Sequence, residues 1–300
     1  MVVAVLVMLP GQNEYQTLAI RPQAPRIREA SVEVEPNQVP VKITQVRAPG
    51  LTARAVVVLD VASGTVMYQK NAEMSLMPAS ITKVMTALVA LEAYKLDEVL
   101  TVKQADDAIG QSMGLKVGEK MTVENLLYGL LVKSGNDAAL ALAENYPAGY
   151  SEFVSRMNQK AEEWQMDKTT FKNVSGVEQW QHMTTVRDLA VLAREAMKNE
   201  VLAKMVATKS ITVADVSGET EHELENVNQL LGEVEGLRGL KTGWTTHAGE
   251  CLITDTVREG KEIITVVLGS EDRFGESRSL IEWAYANHEW KNLEEIQIEK

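Results

Sequence analysis

The sequence predicts an α/β domain of the layered α+β kind, a largely antiparallel sheet flanked by helices with a helical subdomain. Three observations predict it. Apolar, β-branched runs stand toward both ends of the chain, at Ala53 to Gln69 and again at Leu237 to Leu268. Apolar residues at helical spacing fill much of the region between them. Short loops join each late strand to the next, which favours antiparallel neighbours in one sheet.

Ala53 to Asp60 (ARAVVVLD) and Thr65 to Gln69 (TVMYQ) read as strands, and the turn residues Val61-Ala62-Ser63-Gly64 join them as a hairpin. Pro78 opens a helix whose apolar positions recur from Val84 through Leu91, which puts Ser80 in its first turn. Thr122 caps a second helix, Thr122 to Val132, and a third runs from Asn136 to Tyr146. Ser134-Gly135-Asn136 is then the tight connection between them. Further helices cover Ser151 to Trp164 and Thr184 to Lys198, the latter opening on Thr-Thr with Asp188 in its first turns. Strands follow at Ser210 to Val213, Leu237 to Thr242, Gly249 to Asp255 and Glu262 to Leu268. A closing helix spans about Glu276 to Ala286.

Three hundred residues, 45% of them hydrophobic, allow one large domain or two small ones with a real core. A formal net charge of −12 repels nucleic-acid phosphate and anionic lipid surfaces, so no nucleic-acid partner is expected. The single cysteine, Cys251, excludes an intramolecular disulfide framework and reads as a small buried apolar residue. No pair among His182, His222, His247 and His288 has zinc-ligand spacing, and neither a metal nor another cofactor is expected.

Met1 to Leu9 (MVVAVLVML) is uniformly apolar but far short of the roughly 20 residues of a membrane-spanning helix. It also lacks the basic start of a secretory signal. It reads as the truncated remnant of a signal or anchor, with a buried strand as the alternative. Six of the eight prolines lie between residues 10 and 50, so that stretch continues neither a helix nor a central strand and reads as an extended spacer. The expected organisation is a remnant plus Pro-rich linker over residues 1–50, a catalytic domain over 51–290 and an acidic tail over 291–300.

The chemistry rests on three short motifs in order: Ser80-Ile81-Thr82-Lys83, Ser134-Gly135-Asn136 and Lys241-Thr242-Gly243. An SxxK arises by chance about once in a chain this long, and SGN or KTG about one time in twenty or less; the ordered triple is rarer than about one in several hundred. Alone, the first is a helix-start serine with a solvated lysine, the second an interhelical turn, the third an edge-strand charge. Together they supply a nucleophile and its base without histidine. A serine hydroxyl attacks only when a neighbour removes its proton. Lys83, one helical turn from Ser80, serves if neutral, and lowering a free lysine from about 10.4 toward 7 takes roughly 4 kcal/mol of burial and nearby positive charge. Lys241 is the candidate second cation. The helix start favours negative charge developing at Ser80. Ser134 can pass a proton, Asn136 can donate and accept, and Lys241 with Thr242 can hold a carboxylate. Gly243 lets a substrate backbone approach the strand.

SxxK, SxN and KTG in this order resemble the signature of the penicillin-binding-protein and serine β-lactamase superfamily. Longer stretches are similar to the low-molecular-mass serine D-Ala-D-Ala carboxypeptidases (peptidase S11-like): PASITKVMTALVA from Pro78, LLVKSGNDAALALAE from Leu130, TTFKNVSG from Thr169, TTVRDLAVLAR from Thr184 and GLKTGWTTHAGECLI from Gly239. The resemblance covers nearly all of residues 51–290 and implies a β-lactamase/transpeptidase-like fold. It implies that Ser80 attacks the carbonyl of the penultimate D-alanine, with Lys83 as base and Ser134 relaying a proton to the departing D-alanine. Asn136 would orient the acyl chain, and Lys241, Thr242 and Gly243 would form the carboxylate-binding strand. The backbone N–H groups of Ser80 and Trp244 would hold the oxyanion. The implied partners are peptidoglycan stem peptides ending in D-Ala-D-Ala and inhibitory β-lactams, and the implied location is the cell envelope, exported or tethered through the N-terminus only. Arg238 and His247 receive no role. A β-lactamase is the nearest alternative, but Asp167 to Gly176 lacks the glutamate that class A enzymes use for deacylation. DD-endopeptidase action on crosslinks and a non-catalytic wall-binding role are the others.

Overall fold

A computed structural model describes residues 38–104, 110–293 and 296. In chain order its elements are β1 (Gln38–Lys42), β2 (Ala55–Asp60), β3 (Val66–Lys70), a 3-10 turn (Ala79–Ile81) leading into α1 (Thr82–Ala93), β4 (Val99–Thr101) and β5 (Lys120–Thr122). The helices α2 (Val123–Leu131), α3 (Asn136–Glu144), α4 (Tyr150–Glu163), α5 (Val186–Met197) and α6 (Glu200–Val206) follow. The chain then forms β6 (Ser210–Ala214), β7 (Glu221–Glu225), β8 (Leu237–Thr245), β9 (Gly249–Arg258), β10 (Lys261–Ser270), α7 (Arg273–Asn287) and β11 (His288–Asn292).

The central sheet has the order β3-β2-β10-β9-β8, with every neighbouring pair antiparallel, as the short late loops predict. Both of its faces are covered, so its middle strands are apolar on both sides. In β2, Ala55 and Val57 join the larger core beneath the helices, while Val56 and Val58 join the smaller core under α7. β10 divides in the same way, with Ile264, Val266 and Leu268 on one side and Ile263 and Val267 on the other. Residues 82–90 of α1 are all buried. A helix apolar around nearly its whole circumference belongs inside a fold, and α1 packs on α2, α3, α4 and α5. The capping threonines behave as expected: Thr122 Oγ1 accepts from the Asn125 N–H and Thr185 Oγ1 from the Asp188 N–H.

Besides the two-stranded β4–β5 pair, which the sequence expectation does not include, three features depart from it. Ser210 to Ala214 does not extend the central sheet; it pairs with β7 as a separate hairpin whose alternate residues His222 and Leu224 are buried. The short helix α6, capped by Asn199 at Leu202 N, carries too few turns to show a period. The third concerns both flanks of the domain. The expected spacer up to Gly50 and the tail from Lys291 meet as β1 and β11, which pair from Gln38↔Asn292 to Lys42↔His288. Pro40 is tolerated because β1 has a partner on one side only. Trp290 of β11 donates from Nε1 to Asp60 Oδ1 at 2.7 Å and stacks on Tyr285. The reading of Met1 to Leu9 and of most of the spacer falls outside the described residues.

The segment after β1 is strapped across α7. Trp283 Nε1 donates to Val46 O at 3.3 Å. The buried Glu276 carboxylate accepts from Thr52 Oγ1 at 2.8 Å, from Ser270 Oγ at 2.5 Å and from the backbone N–H groups of Thr52 and Ala53. Glu276→Ala leaves these donors without their acceptor and should cost about 2–3 kcal/mol. At this size that lowers Tm by roughly 4–12 °C. Urea or thermal denaturation checks it; an unchanged midpoint would show that the strap contributes nothing to stability.

Candidate active site

The nucleophile candidate sits in a tighter turn than the sequence predicts. Ser80 lies in the 3-10 turn, and α-helical geometry begins only at Thr82. Ala79, immediately before it, has φ +49°, the left-handed region that a residue with a Cβ rarely adopts. From this turn Ser80 Oγ lies 2.9 Å from Lys83 Nζ, which also donates to Ser175 O at 2.7 Å. Lys83 is completely buried. Burial drives its pKa well below the lysine range, the Lys241 charge pushes it lower still, and Asp137 partly opposes both.

Ser134 forms the sharp connection between α2 and α3, also with a left-handed φ of +64°. Lys241, on β8, lies with Nζ 2.8 Å from Ser134 Oγ and 3.0 Å from Thr242 O. It too is buried, and burial followed by the Arg273 charge brings its pKa down to about 7. The turn is anchored by Asp137, whose carboxylate accepts from the N–H groups of Met113, Gly114 and Leu115 and from the Ser112 hydroxyl. The Asn136 N–H donates to Gln111 O at 2.8 Å, and a Cβ on Gly110 would lie 2.9 Å from Asn136 Nδ2.

These pieces surround one cavity of about 670 Å³, to which Ser80, Ser134, Asn136, Thr242, Gly243 and Trp244 all contribute. Lys83 and Lys241 stand behind its wall, each touching the serine in front of it. The eight residues expected from the motifs are thus gathered at one place. Gly243 lines the cavity and has a second neighbour besides it. A Cβ there would lie 3.0 Å from both Ala79 Cβ and Ser80 N, so its bareness also makes room for the Ser80 turn. Gly176 does the same on the other flank, where a Cβ would lie 1.8 Å from Ala79 O.

Two charged cavity residues escaped the motif reasoning. Arg273, the first residue of α7, donates from Nη1 to Gly243 O at 2.8 Å and adds positive charge beside Lys241. Glu178 lies two residues beyond the stretch that lacks a glutamate, and both its oxygens are held by His247, through the backbone N–H at 2.7 Å and Nδ1 at 2.5 Å. Its pKa is lowered, first by that backbone hydrogen bond. Neither residue belongs to a short motif; only the folded sheet brings Arg273 to the KTG strand. Arg238 lies elsewhere, paired with Asp255 and Glu262. Cys251 is buried, and burial pushes its thiol up to about 11. Among the described residues, no three His, Cys, Asp or Glu side chains converge as metal ligands would.

The family model for D-alanyl-D-alanine carboxypeptidases (peptidase S11) matches residues 42–272. The chain belongs to this family. It is 33% identical over 246 residues to the D-alanyl-D-alanine carboxypeptidase DacF of Bacillus subtilis, a match covering 79% of this chain and 63% of that relative's length. The family fold is equally plain. The crystal structure of the Streptomyces K15 DD-transpeptidase superposes with a TM-score of 0.75 at 32% identity, covering 80% of this chain and all of the other. Penicillin-binding protein D2 of Listeria monocytogenes, in its ampicillin-bound form, superposes with a TM-score of 0.70 at 31% identity, covering 79% and 100%. The α/β architecture with its antiparallel sheet is therefore that of the penicillin-binding proteins.

The two buried lysines give the site a pH signature. Modification of Ser80 by a carboxylate-bearing acylating agent should speed up with rising pH as Lys83 loses its proton. It should slow again above about 7, where Lys241 loses the charge it would offer the carboxylate. In Lys241→Arg the guanidinium stays charged, so the alkaline fall should move up by more than about one pH unit. An identical fall in that variant would assign the limb to another group.

Proposed function

We propose that the chain is a serine-type D-alanyl-D-alanine carboxypeptidase that removes the terminal D-Ala from peptidoglycan stem peptides through a Ser80 acyl-enzyme. The observation that carries this reading is the pair of short contacts at the cavity wall, Lys83 Nζ to Ser80 Oγ at 2.9 Å and Lys241 Nζ to Ser134 Oγ at 2.8 Å, with both lysines buried. Neutral Lys83 takes the Ser80 proton as Oγ attacks the carbonyl of the penultimate D-alanine. The oxyanion faces the N–H groups of Ser80 and Trp244. The proton passes from Lys83 by way of Ser134 to the amine of the departing D-alanine, and the C–N bond breaks. Water then cleaves the ester, regenerating the Ser80 hydroxyl. Asn136 orients the acyl chain, and Lys241, Thr242 and Arg273 hold the terminal carboxylate, with Gly243 keeping β8 close to the nucleophile.

The carboxypeptidase name of the Bacillus relative supports the hydrolytic outcome, and the ampicillin-bound Listeria structure supports β-lactams as acylating inhibitors of this site. The catalytic domain spans residues 51–290, joined at its flank by β1 and β11. Its substrate is a wall peptide, so the protein works in the cell envelope, exported or tethered through its N-terminal segment. No described helix is long and apolar enough to cross a membrane.

Incubation with a fluorescent penicillin, followed by mass mapping of the adduct, should place the label on Ser80. Ser80→Ala should abolish both labelling and release of D-Ala from a pentapeptide stem. Lys241→Ala should raise KM for that peptide about 10- to 100-fold, the loss of a charge-assisted hydrogen bond. Label elsewhere than Ser80 overturns the mechanism. Cleavage of a crosslinked dimer with the pentapeptide left intact would reassign the enzyme as an endopeptidase.

A further inference from the structure

The carbonyl of the Ala79–Ser80 peptide is gripped by a buried chain of hydrogen bonds. The Lys172 N–H donates to His182 Nδ1 at 3.2 Å, which leaves the ring proton of the neutral imidazole on Nε2. Nε2 donates to Thr82 Oγ1 at 2.8 Å, and the Thr82 hydroxyl donates to the Ala79 carbonyl oxygen at 2.9 Å. His182 is 2% exposed and Thr82 0%, so water does not compete for these bonds. Phe171 meets the imidazole edge-on at 5.8 Å and fixes its plane. Burial, with the Lys172 charge adding to it, brings the His182 pKa down to about 4, so the ring is neutral at physiological pH. Gly176 packs on the same carbonyl, and its N–H is held by Asn173 Oδ1 at 2.7 Å.

That carbonyl belongs to a peptide whose other half is the Ser80 N–H. In a trans peptide the C=O and N–H point in opposite directions within one plane, so whatever fixes Ala79 O also aims the Ser80 N–H. The opposite side is where Gly243 lies: a Cβ there would stand 3.0 Å from Ser80 N, and Gly243 lines the cavity. The left-handed Ala79 conformation costs about 1–3 kcal/mol and persists only where its surroundings hold it.

We infer that His182 is a positioning residue for the oxyanion donor: through Thr82 and the Ala79 carbonyl it aims the Ser80 N–H at the cavity. The inference rests on the acyl-transfer reading proposed above. In that reading the Ser80 N–H stabilises the oxyanion, so a misaimed peptide slows the chemical step and leaves carboxylate binding alone. The relay carries no proton in the reaction, and His182 touches no substrate.

Stopped-flow acylation by a fluorescent penicillin separates these effects, because it yields a binding constant and an acylation rate constant. His182→Ala should lower the acylation rate constant about 10- to 100-fold, less than or comparable to outright loss of an oxyanion donor. The binding constant should stay within about threefold, the additive-site tolerance. Thr82→Val should slow acylation to a similar extent, and the double variant should be no slower than the worse single one, since both cut the same chain. His182→Gln offers an amide acceptor and an amide donor and should restore most of the rate. Should His182→Ala fail to fold in a thermal melt, Thr82→Val and His182→Gln carry the test. A folded His182→Ala or Thr82→Val protein that acylates at the wild-type rate overturns the relay, as does a loss confined to the binding constant or an additive double variant. A wild-type protein that takes no label fails differently: it overturns the acyl-transfer reading and removes this inference with it.

Discussion

Two lysine side chains, Lys83 and Lys241, are buried in the interior of this domain, and much of the site's architecture serves to hold them there. Neither Lys83 nor Lys241 forms an ion pair with a carboxylate among the described residues; each instead meets a serine hydroxyl and a backbone carbonyl oxygen. Burying an ammonium without a counter-charge is unfavourable, and the penalty appears as a lowered proton affinity. The fold supports it with a large apolar core around α1 and with a sheet edge that carries Lys241 to the same wall. Asp137, spent on the backbone of residues 113–115, lends Lys83 only a distant negative charge.

The glycines of the site belong to this same packing problem. Gly176 and Gly243 press on the Ala79–Ser80 turn; a Cβ on Gly176 would collide with the Ala79 main chain, and one on Gly243 would crowd Ala79 and Ser80. The serine therefore occupies a slot bounded by backbone, whose width a side-chain rearrangement cannot relax. A KTG motif read from sequence alone points its glycine at the cavity; the fold adds a second reason for it, the room it leaves for the Ser80 turn.

Local signals made most of the fold and the motif residues readable. Strong β-branched runs marked β2, β9 and β10, helical periods marked α1 to α5, and Thr122 and Thr185 announced their helices as caps. What escaped lacked a local signal. α6 is too short to display a period, β4 and β5 are three residues each, β7 alternates glutamates with His222 and Leu224 in a stretch free of β-branched side chains, and β1 contains a proline that argues against a strand until its one-sided pairing is known. Arg273 and Glu178 reach the cavity through tertiary contacts with Gly243 and His247, and nothing adjacent to them in sequence encodes that meeting. The helix start expected at Ser80 is a 3-10 turn preceded by a left-handed Ala79, packed against Gly176 and Gly243, which are distant in the chain.

The antiparallel pairing of β1 with β11 has a mechanical consequence. Because Gln38 stands opposite Asn292, these two outer residues of the strands lie side by side at one end of the ribbon. A pull applied at Gln38 and Asn292 would open the ribbon like a zipper, one pair at a time from that end, instead of shearing all five pairs at once. The two strands thus act as a fuse. Tension arriving from either flank is dissipated in a ribbon that holds no catalytic residue, before it reaches the sheet that positions Lys241.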